Sequence, residues 1–597
     1  MPRESLRPRS LRPSERPLPQ RLLEPLTPPV RTLRHYRRAD ARHDLLAGLT
    51  VAVVDLPQSM AMALIAGVPP VYGLYTSIVL GLFGALFTSS RFLSVGPTNT
   101  QSLLCAAVVS RLTDDPRLYL ELVFGLCLIK GLIQLAFGAA GVGRLARYVS
   151  RSVMLGFTAA AAILIITGQL GPLLGLQPVR AVHDGLPGAL GTLEDLLARI
   201  DHANLYALAL GSLSLLVLLL ARRLPPFVPG PLLAVVAGAV AAAALAPGTV
   251  ALIGALPRGL PAPRLPQLTL AQAESLLSGA LALALLGTLE SVIIAKGMAR
   301  RLGERIKPDQ EFFGQGLANA LGGLLQCMPG SASFSRTALL ARAGARTRFA
   351  GLFCSVSTAA LFFGVSPLTA YVPQAALAAV LCVLGAGLID AKAIAQIART
   401  SRTDAVVCGV TFASALLLPL AYAIYLGIFL NLALYLRRAS RLHVSELVQV
   451  EGGGFEERPL ARHAPVGREL VFLQLEGDLF FAVADELEER LVRLLQSDVR
   501  VAIIRLKRAH WIDASALFVF EQFVQAMHEA GGHVVLCGVR PELRGQLRDF
   551  GLDRLIGDEN VLTSEPGAFA SALRAFERGR QLLAVSHELA AARARVD

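Results

Sequence analysis

The sequence predicts a polytopic α-helical membrane protein with fourteen transmembrane elements arranged as a seven-plus-seven inverted repeat, followed by a small soluble α/β domain. Three observations carry this. Mean hydropathy is +0.54 and only 17 % of the 597 residues are charged. Runs of about 20 apolar residues recur between Leu45 and Leu436, each long enough to cross a hydrocarbon core of about 30 Å. Two breaks rich in Gly and Pro, 94–99 (Ser-Val-Gly-Pro-Thr-Asn) and 328–333 (Met-Pro-Gly-Ser-Ala-Ser), fall at matching places. Gln58 to Pro97 and Glu290 to Pro329 both span 39 residues, so the pairs share one offset of 232 (290 − 58 and 329 − 97). Paired interruptions in corresponding halves mark transporters whose substrate site lies between two half-helices.

Along the chain, 1–44 is a basic segment with eleven Arg and five acids, rich in Pro and expected to be disordered at first, with a short interfacial helix near 31–38. It holds no apolar core and no small-residue cleavage site, so no signal peptide is expected. The transmembrane region is 45–440. Its first seven elements fall near 45–66, 71–89, 97–111, 119–140, 152–174, 203–221 and 228–246. The second seven fall near 275–296, 311–327, 331–344, 349–367, 374–392, 404–419 and 420–436. The third and tenth are too short to span alone.

Charge tests this threading. With the N-terminus inside, the inside loops hold Arg91; Arg144, Arg147 and Arg151; Arg222 and Arg223; Arg300, Arg301, Arg305 and Lys307; Arg342, Arg346 and Arg348; Lys392, Arg399 and Arg402; and Arg437, Arg438 and Arg441. The outside loops hold Asp114, Asp115, Asp184, Glu194 and Asp195. Bases collecting on one side is the positive-inside pattern. An odd number of elements per repeat inverts the second repeat, and an even total returns the C-terminus to the cytoplasm. The net charge of +13 is thereby spent on topology, which argues against nucleic acid as a partner. The seven cysteines form no CxxC, and nothing suggests a metal site or a catalytic triad.

After 441–466, read as a linker, composition changes. Apolar strands near 471–475, 501–506 and 534–537 alternate with amphipathic helices near 484–496 and 514–530, which predicts an α/β domain over 467–576 and a polar, helix-prone tail over 577–597. Asp513 and Ser515 open a helix after a strand. An ordinary N-cap is the favoured reading there, with a phosphorylation or nucleotide-sensing loop as the alternative.

The chemistry of the membrane part gathers at the breaks. Thr98, and Ser331 with Ser333, stand at two Pro-marked helix starts. Helix amino ends carry partial positive charge and free N–H donors, so two of them meeting at mid-membrane suit a small anion. Arg336, one turn further on, is expected to add a full positive charge. Glu290 lies about 9 Å from the cytoplasmic end of its run, where a carboxylate must be protonated, paired or in a polar cavity. It can therefore couple H⁺, or hold Na⁺. Asp55 and Gln58 share a helical face; Asp55 is a second candidate proton carrier, or a partner for Lys130 or an Arg, and Gln58 a candidate ligand contact. Met62 is a pocket wall or core filler.

Leu56-Pro57-Gln58-Ser59-Met60-Ala61, Val68-Pro69-Pro70-Val71-Tyr72-Gly73-Leu74-Tyr75, Ser94-Val95-Gly96-Pro97-Thr98, Gln315-Gly316-Leu317-Ala318-Asn319 and Pro329-Gly330-Ser331-Ala332-Ser333-Phe334-Ser335-Arg336-Thr337 resemble the SulP anion-transporter family. The C-terminal domain resembles the STAS domain of those proteins. The resemblance implies core and gate domains, an elevator-like movement, a homodimer, residence in the inner (plasma) membrane, and a small anion such as sulfate, bicarbonate or a dicarboxylate as substrate. By motif position, Gln58, Met62, Thr98, Ser333, Phe334, Ser335 and Arg336 line the anion pocket, and Glu290, with Asp55, is assigned to cation coupling. No cofactor is implied beyond coupling H⁺ or Na⁺, and the STAS domain is a candidate binder of a cytoplasmic regulator. Met62 stands where the family usually has Tyr or Phe, and Ala516 where the STAS loop usually has Gly. An uncoupled exchanger or channel, and a membrane-anchored sensor signalling through STAS, stay open as alternatives.

Overall fold

The computed structural model describes residues 27–143, 150–176, 189–221, 223, 229–245, 248–254, 257, 259–302, 306–440, 442–450, 454–459, 468–566 and 569–593. The expectations for 1–26, for Arg144, Arg147, Arg222, Arg305, Arg441 and Asp184, and for 594–597 lie outside the described residues. The chain divides into two compact units, Met1–Leu432 and Ala433–Asp597.

In the first unit a short helix α1 (Pro28–Arg34) precedes α2 (Arg38–Ile65), α3 (Pro70–Phe87), β1 (Val95–Gly96), α4 (Asn99–Val109), α5 (Pro116–Ala139), α6 (Arg151–Leu173), α7 (Ala189–Ala198), α8 (Leu205–Ala221) and α9 (Gly230–Leu245). The second half holds α10 (Leu270–Leu302), α11 (Pro308–Leu324), β2 (Ser331–Ala332), α12 (Phe334–Arg342), α13 (Phe349–Val365), α14 (Gln374–Ala386), α15 (Ala391–Thr400), α16 (Arg402–Leu417) and α17 (Leu420–Ala439). Fourteen of these coincide with the fourteen apolar runs. The remaining three are α1, α7 and the amphipathic α15, whose Ile394 and Ile397 pack on Leu155 and Cys408. The run read as 374–392 therefore ends in a break before α15. Local rules set several starts: Pro opens α3, α5 and α11, while Asp115, Ser150 and Ser401 accept amide hydrogen bonds at the starts of α5, α6 and α16.

Packing sorts the elements by position in each repeat. Helices α2 to α5 pack with α10 to α13, and α6, α8 and α9 pack among themselves and with α14 and α16. Helix α17 joins the second group, where Gly427 lies against Val153 and Thr411. Lipid supplies no hydrophobic drive between helices, so close approach depends on small residues. A Cβ on Gly131 of α5 would stand 2.2 Å from the Ala320 amide of α11, and one on Gly48 of α2 would stand 2.7 Å from the Cys354 amide of α13.

The inversion is visible at the breaks. Strands β1 and β2 pair antiparallel, Val95 opposite Ala332 and Gly96 opposite Ser331. Equivalent segments related by a two-fold axis in the membrane plane must run in opposite directions, and these do. Gly330 lets them approach: a Cβ there would stand 2.5 Å from the Gly96 carbonyl oxygen.

The second unit is a six-stranded sheet of order β4-β3-β5-β6-β7-β8, from β3 (His443–Gln449), β4 (Phe455–Pro459), β5 (Leu470–Leu479), β6 (Val501–Ile512), β7 (His533–Val539) and β8 (Val561–Thr563). The pairs β3–β4 and β3–β5 are antiparallel, and β5 to β8 run parallel. Helices α18 (Phe481–Leu495), α19 (Ala514–Glu529), α20 (Pro541–Phe550) and α21 (Leu552–Ile556) cover one face through Leu487, Phe520, Leu547 and Leu552. Helix α22 (Ala570–Arg593) covers the other with Ala572 and Ala575.

Two sequence boundaries are corrected here. The segment read as a linker contributes β3 and β4, whose Leu447 and Phe455 are buried in that second core. The segment read as a tail continues α22, and Gly579 lies against Ile503. Asp513 has the geometry of a cap twice over: Oδ1 accepts the Ala516 amide of α19 (3.0 Å) and Oδ2 the Phe481 amide that opens α18 (2.7 Å). Ser515 is half-buried beside it.

Gly330→Ala is expected to lower stability by about 1–3 kcal/mol, because backbone must move to admit the methyl. Gly364→Ala, where a Cβ meets nothing within 4 Å, is the control and changes little. Thermal unfolding of the purified protein in detergent measures both; equal melting temperatures would contradict the close approach.

Candidate functional site

The two short strands hold the half-helices α4 and α12 amino end to amino end. Thr98 is the N-cap of α4 and Ser333 that of α12, where Ser333 Oγ accepts the Arg336 amide (3.5 Å). The break is stitched by the Ser333 amide to the Ser94 carbonyl (2.9 Å), the Ser94 amide to Thr337 Oγ1 (3.1 Å) and a hydroxyl pair between Thr98 and Ser331 (3.1 Å). Helices of 11 and 9 residues are about 16 and 14 Å long, so each covers about half of the hydrocarbon. Their facing ends therefore fall near mid-membrane depth.

Arg336 is 2 % exposed and forms an ion pair with Asp55 of α2, itself 1 % exposed. Its other terminal nitrogen donates to the Pro97 carbonyl (2.8 Å). Asp55 also accepts from Ser59 Oγ (2.9 Å) and from Ser77 Oγ of α3. Of the partners open to Asp55 in the sequence, the structure selects Arg336. The guanidinium packs on Gly96, where a Cβ would stand 2.9 Å from Nη2. Its charge is shared with a carboxylate rather than left free beside the helix ends.

Lys130 of α5 is fully buried and serves the break itself, donating to Gln101 Oε1 (2.6 Å) and the Gly330 carbonyl (2.5 Å). Asn319 of α11 holds the same peptide, accepting the Gly330 amide (3.0 Å) and donating to its carbonyl (3.2 Å). Glu290 of α10 is reached from both half-helix entries: Thr100 Oγ1 donates to Oε1 (2.7 Å) and Ser331 Oγ to Oε2 (3.0 Å). Hence Glu290, Thr98, Ser331 and Arg336 are brought around one junction.

Gln58 lies one turn beyond Asp55, 5 % exposed, and its Oε1 has no hydrogen-bond partner among the described residues. Asn99 Oδ1 and Ser102 Oγ, in the first turn of α4, are likewise buried and unpartnered. Met62 is 5 % exposed, whereas Phe334 is 68 % exposed and Ser335 is exposed beside it. Sequence reasoning gave no role to Thr100, Gln101, Ser59, Ser77 or Asn319. The available signal was a polar side chain in an otherwise apolar run.

Arg336→Ala and Asp55→Ala are each expected to destabilise by about 3–5 kcal/mol, since either leaves a buried charge unpaired. The double variant should lose less than the sum. A double-mutant cycle on melting temperature measures this, and additive losses would show the pair is not coupled.

The sequence profile of the sulfate permease family matches residues 42–411, and that of the STAS domain matches 462–566. A putative sulfate transporter of Bacillus subtilis is 29 % identical over 532 residues, covering 88 % of this chain and 96 % of that one. A probable sulfate transporter of Mycobacterium tuberculosis is 31 % identical over 561 residues, covering 92 % and 98 %. The solved structure of SLC26A9 has the same fold, with a TM-score of 0.85 at 19 % identity over 97 % of this chain and 98 % of that one. The transmembrane domain of a cyanobacterium bicarbonate transporter superposes with a TM-score of 0.58 at 25 % identity, covering 67 % and 98 %. The chain belongs to the sulfate permease family: it is a multi-pass membrane transporter with a C-terminal STAS domain, not an enzyme.

Proposed function

We propose that this protein carries a small oxyanion across the membrane by secondary active transport, binding it between the amino ends of α4 and α12 and coupling its movement to H⁺ or Na⁺. The observation that carries the reading is the β1–β2 pairing, which holds two helix amino ends together at half-depth. Sulfate, bicarbonate and dicarboxylates fit this chemistry, and the relatives are described as sulfate and bicarbonate transporters. Gln58 and Asn99, with open hydrogen-bonding capacity, are the assigned anion contacts, with the caps Thr98 and Ser333 beside them. Arg336 acts by holding the junction in shape and lending part of its charge.

Glu290 is the assigned coupling group. Its two hydroxyl donors belong to the half-helix α4 and the strand β2, so its protonation or its occupation by Na⁺ is felt at the anion site. The basic loops put the N-terminus and the STAS unit in the cytoplasm of a plasma-membrane protein.

Uptake into proteoliposomes from a panel of labelled anions, with pH and Na⁺ gradients imposed separately, tests the whole reading. Gln58→Ala is expected to raise the half-saturating concentration about ten-fold, the loss of one hydrogen bond to a charged ligand, without lowering melting temperature. An unchanged half-saturation removes Gln58 from the site. Glu290→Gln is expected to abolish gradient-driven accumulation. Wild-type gradient dependence in that variant favours uncoupled exchange instead.

A further inference from the structure

A second cleft lies apart from the half-helix junction, on the side of the basic loops. It has a volume of about 510 Å³ and is framed by α1, the start of α2, the loop after α3, the start of α11 and the loop between α12 and α13. Arg91, Lys307, Arg346 and Arg348 all line it, against the one carboxylate of Asp40, which pairs with Arg346 at 3.2 Å. Thr32, Ser89 and Thr347 add hydroxyls.

The walls are built rather than incidental. Asp44, fully buried behind them, accepts the Arg346 amide (2.7 Å), the Thr347 amide (3.0 Å) and Thr347 Oγ1 (2.6 Å). Glu311 Oε1 accepts both the Ser89 and Ser90 amides (3.0 Å each) and Ser89 Oγ (2.6 Å). Arg348, 7 % exposed, donates from Nε to Thr32 Oγ1 (2.9 Å) and from Nη1 to the Leu86 carbonyl (2.9 Å), tying α1 to the loop before α13. Four cations are thus held around one space by a fixed backbone.

We propose that this cleft binds the phosphate-bearing headgroup of an anionic membrane lipid. The cation excess sets the charge of the ligand. The volume sets its size, since pockets of about 300–1,000 Å³ hold small organic groups, of which a bare oxyanion fills little. The surroundings set its source. Helix α1 turns Thr32 and His35 to the cleft while Val30 and Leu33 are 51 and 66 % exposed, the pattern of a helix lying in the interface. One turn past Asp44, α2 exposes Leu45, Leu46 and Leu49 by 48, 55 and 43 %, a surface for acyl chains directly below the cations. A lipid bound here joins α1, α2, α11 and the α12–α13 loop, and so bears on the group of helices that carries the half-helices.

The test titrates the full chain in detergent with a short-chain fluorescent phosphatidylglycerol, with the phosphatidylcholine analogue, and with inorganic phosphate as competitor. Each Lys or Arg near a lipid surface is worth about a five-fold change in affinity, so the double variant Arg91→Gln/Lys307→Gln is expected to weaken phosphatidylglycerol binding about 25-fold. The charge-keeping pair Arg91→Lys/Lys307→Arg should retain it, which separates charge from misfolding. Equal affinity in wild type and the Gln variant overturns the proposal, as does equal loss in the charge-keeping pair. Saturable binding of inorganic phosphate that displaces the lipid at comparable concentration overturns the lipid assignment in favour of a soluble anion. No gradient is involved and Glu290→Gln should bind lipid normally, so this proposal and the transport reading fail separately.

Discussion

Two helix amino ends, each carrying about half a positive charge, repel one another when brought together in a medium of low dielectric. Their junction is therefore the constraint on which this membrane unit depends. The chain meets it with a two-stranded ladder that consumes the free backbone groups of both breaks, and with the buried Asp55 carboxylate, which balances the Arg336 guanidinium alongside. The hydroxyls of Ser59 and Ser77 complete the shell of Asp55, so the ion pair enters the apolar interior with its hydrogen bonds made. Lys130 and Asn319 fix the Gly330 peptide from the opposite side.

Such a network is costly to bury unless every member finds a partner. Among the described residues of the junction, almost all do. The open groups, Gln58 Oε1, Asn99 Oδ1 and Ser102 Oγ, gather at the start of α4 and on the α2 face that carries Asp55. That contrast between saturated structural polar groups and unsatisfied ones beside them is what separates residues that hold the site from residues suited to contact a solute. It also moves Arg336 from the second class to the first.

The periodicity of apolar runs made the fourteen elements legible, because a bilayer imposes one length on every span. The equal 39-residue spacings made the inverted repeat legible, because duplication preserves distance along the chain. Less legible were elements that lack either signature. Helix α15 reads as the continuation of an apolar span, since its break at 387–390 depends on the Asp390 cap and not on Pro. Strands β3 and β4 carry charges at most positions, Glu446, Glu456, Glu457 and Arg458 among them, because they lie at a sheet edge with one face to solvent, and so they read as linker. The tail reads as polar because α22 buries only a narrow stripe of small residues.

By itself the sequence determined how many times the chain crosses the membrane, which breaks correspond, and which residue types stand at them, since these follow from hydrophobic length, spacing and helix-start chemistry. It left open who pairs with whom. Asp55 lies 281 positions from Arg336, Glu290 lies 190 from Thr100, and Lys130 lies 200 from Gly330. Those partnerships exist only once the two repeats interlock. Selecting Arg336 over Lys130 as the partner of Asp55 is a matter of a few ångströms set by glycine-mediated packing, which no linear pattern encodes.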